Sequence, residues 1–269
     1  DVQRLFRWLS EDRNRRFLGW DTETGGLEFW KKPLRLFQFG DVNTGWTFRA
    51  DRWLGVAEQV FEEYEGWMTG QNVGFDIRFM GYQGGIDVSW DRQYDTKIMA
   101  HILDPTKSTS LKALGARFLS PEAKRLQNSL DTAMRKQGWT WATVPVDFDI
   151  YWSYAALDPV LTARIAETFW PEVEGNYLDV FNLESETSRI CSNMEMRGVP
   201  VDLEYCSTKY EDIKEFTAEA DRWCMENYGI HPGQNQEVAL ALRREGVDLS
   251  KTTASGDWAM DKDVLEGLD

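Results

Sequence analysis

Two carboxylates stand two residues apart in the stretch Trp20-Asp21-Thr22-Glu23-Thr24-Gly25-Gly26-Leu27. On an extended strand, residues i and i+2 project from the same face, so Asp21 and Glu23 can converge on one cation. Gly25 and Gly26 then end the strand and let a ligand approach the backbone closely. A second stretch, Gly70-Gln71-Asn72-Val73-Gly74-Phe75-Asp76, offers Asn72 as a typical helix-capping residue. A helix starting there puts Asn72 and Asp76 four apart on one face. In the third stretch, Tyr154-Ala155-Ala156-Leu157-Asp158, an i, i+4 pair sets a phenol beside a carboxylate, and two small residues leave space around them. Taken alone, each has an ordinary reading: a solvated turn, a capped surface helix, and a tyrosine packed on the core beside an exposed aspartate.

The elements that must position these side chains can be read from periodicity. Apolar residues at helical spacing (Val2, Leu5, Phe6, Leu9) lead into residues 17–21, a short apolar run that reads as a buried strand. Residues 34–39 alternate Leu34, Leu36 and Gln38 with Arg35, Phe37 and Phe39, and residues 46–49 form a further run after the Asn43-Thr44-Gly45 turn. An amphipathic helix over residues 53–64 and an apolar Trp67-Met68 ahead of Gly70 follow. Three strands, a helix, a short strand and further helices make a mixed α/β sheet flanked by helices the economical fold.

Beyond Asp95 the strands largely stop, and helical patterns cover residues 95–103, 110–119 and 121–137, the last with Pro121 in a first-turn position. Residues 139–149 read as an irregular aromatic connector. From Tyr151 onward nearly everything is helix, interrupted by the turn signals Gly198-Val199-Pro200 and His231-Pro232-Gly233. Pro159, directly after Asp158, predicts a kink or a restart, because proline disfavours the helical conformation of the preceding residue and removes a backbone hydrogen bond. A division near Gly175 separates an α/β domain, residues 1–175, from a smaller all-helical segment, residues 176–269.

With 269 residues and 42% hydrophobic content, the chain can bury one large core and carry an appendage. No apolar run approaches the roughly 18 to 20 residues that cross a bilayer, and the first residues lack a secretory core. A soluble cytoplasmic protein with no membrane partner is therefore expected. The chain opens at Asp1 without a Met and closes inside the helical pattern of residues 261–268, so it reads as a fragment. Cys191, Cys206 and Cys224 lack zinc-site spacing and read as free thiols serving as small apolar core residues.

A net charge of −15 argues at first against a nucleic-acid partner. The distribution changes that judgement: residues 1–150 hold 20 Lys+Arg against 21 Asp+Glu, and residues 151–269 hold 10 against 24. In the first part the positive residues gather in three runs: Arg13, Arg15 and Arg16; Lys31, Lys32 and Arg35; Lys107, Lys112, Arg117, Lys124 and Arg125. Such runs suit a solvated face or a DNA groove equally.

Taken jointly, the three motifs resemble the DEDD exonuclease superfamily, and within it the proofreading domain of family A DNA polymerases. That family carries Asp-x-Glu on a strand, Asn-x-x-(Phe/Tyr)-Asp and Tyr-x-x-x-Asp, and all three occur here in that order. Tyr154 in the third motif, in place of a histidine five residues before the aspartate, marks the tyrosine branch. Neither His101 nor His231 has that spacing. The resemblance extends through Asp95-Thr96 to Leu103-Asp104-Pro105 and Ser110-Leu111-Lys112-Ala113-Leu114 to Phe118-Leu119, and it covers roughly residues 17–170.

The resemblance implies an RNase H-like fold and a 3′-5′ exonuclease that hydrolyses phosphodiesters with two divalent cations, Mg2+ or Mn2+. It implies that Asp21, Glu23 and Asp158 bind the metal that activates water, that Asp21 bridges to a second ion, and that Asp76 holds that second ion. Tyr154 would orient the attacking water; Thr24 and Leu27 would contact the terminal nucleotide, and Asn72 would help position the strand. Four carboxylates without cations repel one another, so the acid cluster itself implies the metal. Residues 184–202 resemble the segment that joins exonuclease to polymerase in that family, and residues 251–268 loosely resemble the tip of a partial thumb. The implied partners are a single-stranded DNA 3′ end and the palm and fingers of the parent chain, which would follow residue 269, in a bacterial or phage-infected cytosol. Two other readings stay open at this point: an exoribonuclease of the ribonuclease D type, since the same carboxylates serve either sugar, and a non-catalytic RNase H-like docking scaffold.

Overall fold

The computed structural model describes residues 2–11, 16–118 and 122–267. Arg13, Arg15, Leu119 and Pro121, and the side chain of Lys124, lie outside the described residues. A first helix, α1 (Val2–Glu11), precedes three antiparallel strands, β1 (Phe17–Thr24), β2 (Leu34–Gly40) and β3 (Gly45–Arg49). Helix α2 (Ala50–Glu63) returns the chain to β4 (Trp67–Gly70), parallel to β1, and α3 (Val73–Gly84) returns it to β5 (Gln93–Asp95), parallel to β4. The strand order is β3-β2-β1-β4-β5, so the strand bearing Asp21 and Glu23 is the central one. This is the mixed sheet flanked by helices expected from the sequence. The short β5 escaped the sequence reading, because a three-residue strand has too few alternations to register.

Strand alternation divides the sheet into two faces with different tasks. On one face Leu18 and Trp20 of β1, Phe37 and Phe39 of β2 and Phe48 of β3 form a core closed by Leu5 of α1, residues of α2, and Val73, Ile77 and Met80 of α3. On the other face Gly19, Gly40 and Gly45 are direct cross-strand partners and make a row without side chains. The next rows on that face are Asp21, Gln38 and Thr47, then Glu23, Leu36 and Arg49.

After β5 come α4 (Thr96–Leu103), α5 (Leu111–Phe118) and α6 (Glu122–Gln137), then the irregular connector and α7 (Asp149–Asn176). Helix α7 crosses the glycine row. A Cβ on Gly19 would lie 2.0 Å from the Pro159 carbonyl oxygen, and one on Gly45 would lie 2.0 Å from the Ala156 oxygen. The helix runs unbroken through Pro159 and Pro171, so the expected restart does not occur. Burial decides this: Tyr154, Ala155, Asp158, Pro159, Leu161 and Thr162 are all buried. Close packing on the glycine row overrides the local preference against a helical residue before proline. Gly175 falls in the last turn of α7.

Phe17, Met99, Leu111, Leu114, Leu161, Ile165, Phe169 and Trp170 form a second core, which Phe181 of α8 (Leu178–Arg197) joins. Contacts divide the chain into two units, Asp1–Gly198 and Val199–Asp269. The second contains α9 (Leu203–Tyr228), α10 (Asn235–Arg244) and α11 (Lys262–Glu266), and it buries Ala239, Ala241, Leu249 and Ala259. The cysteines are not core residues: Cys191 and Cys206 are exposed, Cys224 is half-buried, and all three are free thiols. Helix α9 buries no residue and α8 buries only Phe181 and Ser192, so a small apolar residue there has no core to enter. Among the described residues, no helix is long and apolar enough to cross a membrane.

Candidate active site

The register places Asp21 and Glu23 one and two rows beyond the glycine row, on the face that α7 covers. Asp158, just before the contact of Pro159 with Gly19, faces them. Each of Asp21, Glu23 and Asp158 offers a carboxylate oxygen within 4.8 Å of the others. Glu23 and Asp158 are buried and Asp21 is half-buried at the edge of the site. The i, i+4 spacing on the unbroken α7 sets Tyr154 one turn before Asp158, and both are buried.

Asp76 stands outside this group of three. Thr22 points to the opposite face from its neighbours Asp21 and Glu23, and there its backbone N–H and hydroxyl donate to Asp76 Oδ1 at 3.0 and 2.5 Å. Asp76 is thereby tied to the strand through the residue between the two acids. Asn72 sits at the cap position of α3, but its side chain makes no cap bond and its backbone is left-handed, with φ of 62°. The capping acceptor is Asp95, whose carboxylate takes the N–H groups of Asn72 (2.9 Å), Val73 (2.9 Å) and Lys97 (2.8 Å). One buried carboxylate at the end of β5 thus serves the N-termini of both α3 and α4. The Asn72 side-chain oxygen is left to accept from Lys97 Nζ at 3.0 Å. Thr24 is buried, its hydroxyl donating to the Gly26 carbonyl at 2.7 Å, whereas Leu27 is 82% exposed.

Burial raises every carboxylate of the site above its usual acidity range. For Asp21 burial is followed by the charges of Asp76, Asp158 and Glu23; for Glu23 by that of Asp158. Burial pushes Asp76 up to about 7 against the pull of its Thr22 bonds. Burial also raises Asp158, and the charge and hydrogen bond of Lys112 act against it. Tyr154 is pushed up by burial and then by Asp158, Glu23 and Asp21, so it is a neutral phenol at physiological pH.

Hard oxygen ligands at this separation, each destabilised as an anion by burial, fit divalent cations. A pH dependence follows. Groups whose folded pKa is raised bind protons more tightly in the fold, so metal-free stability falls as pH rises from about 4 to about 7. Saturating Mn2+ should therefore raise the unfolding temperature over EDTA by a margin that widens between about pH 5 and about pH 8, since binding must displace those protons. A margin that is constant across this range contradicts it.

Sequence reasoning missed three residues that build the site. Thr22 was overlooked because alternation sends it away from the acids. Asp95 gave no signal beyond its place before a helix. Lys112 forms an ion pair with Asp158 and lies 4.1 Å from the Tyr154 ring centre, across a separation of 46 residues that no local pattern reveals. Among the described residues, several members of the basic runs are engaged within the fold. Arg16 pairs with Glu174, Lys32 with Glu28 and Arg117 with Asp104, while Arg35 donates to the carbonyls of Trp141 and Val144 and ties down the connector.

A protein-family model described as 3′-5′ exonuclease matches residues 1–174. A DNA polymerase of Mycobacterium phage D29 is 30% identical over 265 residues, which cover 90% of this chain and 43% of the phage protein. A DNA polymerase of Mycobacterium phage L5 is 26% identical over 269 residues, covering 92% of this chain and 45% of that protein. The chain thus spans less than half the length of these curated relatives. Among solved structures, the POL domain of Pol1 from M. smegmatis in complex with DNA primer-template and dNTP superposes with a TM-score of 0.68 at 16% identity, covering 97% of this chain and 43% of that one. Brucella melitensis NrnC with bound Mg2+ gives a TM-score of 0.54, also at 16% identity, covering 72% of this chain and 92% of that one. At these identities the structural likeness speaks for the fold alone.

Proposed function

The chain belongs to the 3′-5′ exonuclease family, and from that premise we propose that it removes nucleotides from single-stranded or mispaired DNA 3′ ends as the proofreading part of a DNA polymerase. The observation that carries the reading is the convergence of Asp21, Glu23 and Asp158, with the Tyr154 phenol one helical turn before Asp158. Two divalent cations bound there would activate water, neutralise the phosphate and stabilise the departing 3′ oxygen. In this reading Asp21, Glu23 and Asp158 would hold one cation, and Asp76, anchored on Thr22, would serve a second together with Asp21. Tyr154, kept protonated by burial first and by its acidic neighbours second, would orient the attacking water as a donor rather than act as a base. Thr24 and Leu27 meet the terminal nucleotide, and Asn72 guides the strand.

The phage polymerase relatives support DNA as the substrate and the palm and fingers of a parent chain as partners, in a bacterial or phage-infected cytosol. On the same reading residues 1–175 form the exonuclease domain and residues 176–269 the helical linker and partial thumb. The test is digestion of matched single-stranded DNA and RNA oligonucleotides labelled at the 5′ end, with Mg2+ or Mn2+. A ladder shortening from the 3′ end of the DNA is expected, accelerated by a mispaired terminus on duplex. Strong preference for RNA would assign the ribonuclease D type instead, and no digestion with either metal would leave a docking scaffold.

A further inference from the structure

Lys112 is an unusual lysine. Its side chain is only 16% exposed, although lysine heads ordinarily stay in water along a buried stem. Its neighbours in α5, Leu111 and Leu114, are buried and fix that helix against α7. The ammonium pairs with Asp158, lies over the Tyr154 ring, and its charge acts on Asp21 and Glu23 as well. Burying a charge is costly unless it is paired, and the partner here is an acid that the proposed reaction needs for a cation.

The geometry points to Lys112 as an exchangeable counter-ion of the active site, a positioning residue that holds Asp158 when no divalent cation is bound and releases it when one binds. This rests on the metal reading above. Asp158 is drawn toward a positive charge in both states, so the carboxylate group stays assembled against its own repulsion. Lysine suits the task because its charge is compact and its stem is flexible, whereas a planar guanidinium would lock a bidentate pair. Exchange has a cost in affinity: the incoming cation must displace the ammonium, so Lys112 weakens metal binding while it stabilises the metal-free fold.

Calorimetric titration of the full chain with MnCl2 tests this on wild type, Lys112→Met and Lys112→Arg. Removing both the competitor and its charge should tighten Mn2+ binding about tenfold in Lys112→Met, with Lys112→Arg remaining near wild type. In EDTA the Met variant should unfold at a lower temperature than wild type and gain more from saturating Mn2+. A second readout needs no variant: acetylation of Lys112 in the wild-type chain, quantified by peptide mass spectrometry, should rise severalfold when EDTA is replaced by saturating Mn2+. Weaker or unchanged Mn2+ binding in Lys112→Met, or unchanged labelling of Lys112 with Mn2+ bound, overturns the exchange. Failure of the wild-type chain to bind Mn2+ at all would instead remove the metal reading on which it stands.

Discussion

Asp21→Ala is expected to lower the rate of DNA digestion by about three orders of magnitude, the scale on which a single electrostatic stabiliser acts at a reacting centre. The residue is half-buried at the edge of the site, and its oxygen lies within 4.8 Å of ligand atoms on both Glu23 and Asp158. Its loss opens the group of three and removes the acid proposed to be shared between two cations. The fold should not suffer. Asp21 is raised well above the usual carboxylate range by burial and by Asp76, Asp158 and Glu23, so at neutral pH its charge opposes folding of the metal-free chain. The variant should therefore unfold in EDTA at or above the wild-type temperature while being inactive in Mg2+. That combination separates a metal ligand from a structural aspartate. Retained activity would contradict the assignment. Asp76 provides the contrast: it is fully buried, Thr22 donates to it twice, and removing it leaves those donors without their acceptor.

Gly19→Ala is expected to damage activity from a position that touches no ligand. The added Cβ would lie 2.0 Å from the Pro159 carbonyl oxygen and 3.2 Å from its Cα, both backbone atoms of a buried helix. No side-chain rotation relieves that contact, so α7 must move away from β1. Asp158 immediately precedes Pro159, and Asp21 lies two residues after Gly19 on the same face. The shift therefore opens the gap between the carboxylates themselves. Overpacking of this kind costs about 1–3 kcal/mol of stability, and a displacement near 1 Å costs about a hundredfold in rate. Denaturant unfolding and single-turnover digestion read the two effects separately. Gly85→Ala is the control: Gly85 has a left-handed backbone, but nothing lies within 4 Å of its added Cβ, so any loss there is of stability without a comparable loss of rate. Equal rates for Gly19→Ala and wild type would show that α7 does not depend on the glycine row for its seat.

Much of the architecture was legible because each strand and helix reports its own environment. The alternation in Leu34–Gly40 follows a sheet covered on both faces, one by aromatic residues and one by a helix. The i, i+2 spacing of Asp21 and Glu23 and the i, i+4 spacing of Tyr154 and Asp158 are local geometry, and the structure keeps both pairs together. What failed was also local inference. Pro159 forecast a break that packing suppresses, and Asn72 forecast a side-chain cap that Asp95 supplies from another strand. The cysteines are not core residues, and composition cannot say which helices stand exposed.

By itself the sequence determined which side chains were available and on which face of their own element each would stand, since backbone periodicity depends only on neighbours a few residues away. Only the tertiary structure decided that Asp158 meets Asp21 and Glu23, that Thr22 holds Asp76 and that Lys112 enters the acid cluster. Those meetings span 137 and 135, 54, and 46 residues, and they depend on how closely a helix can approach a sheet. Here that distance is set by three glycines aligned across β1, β2 and β3, whose shared row exists only once the strands are in register.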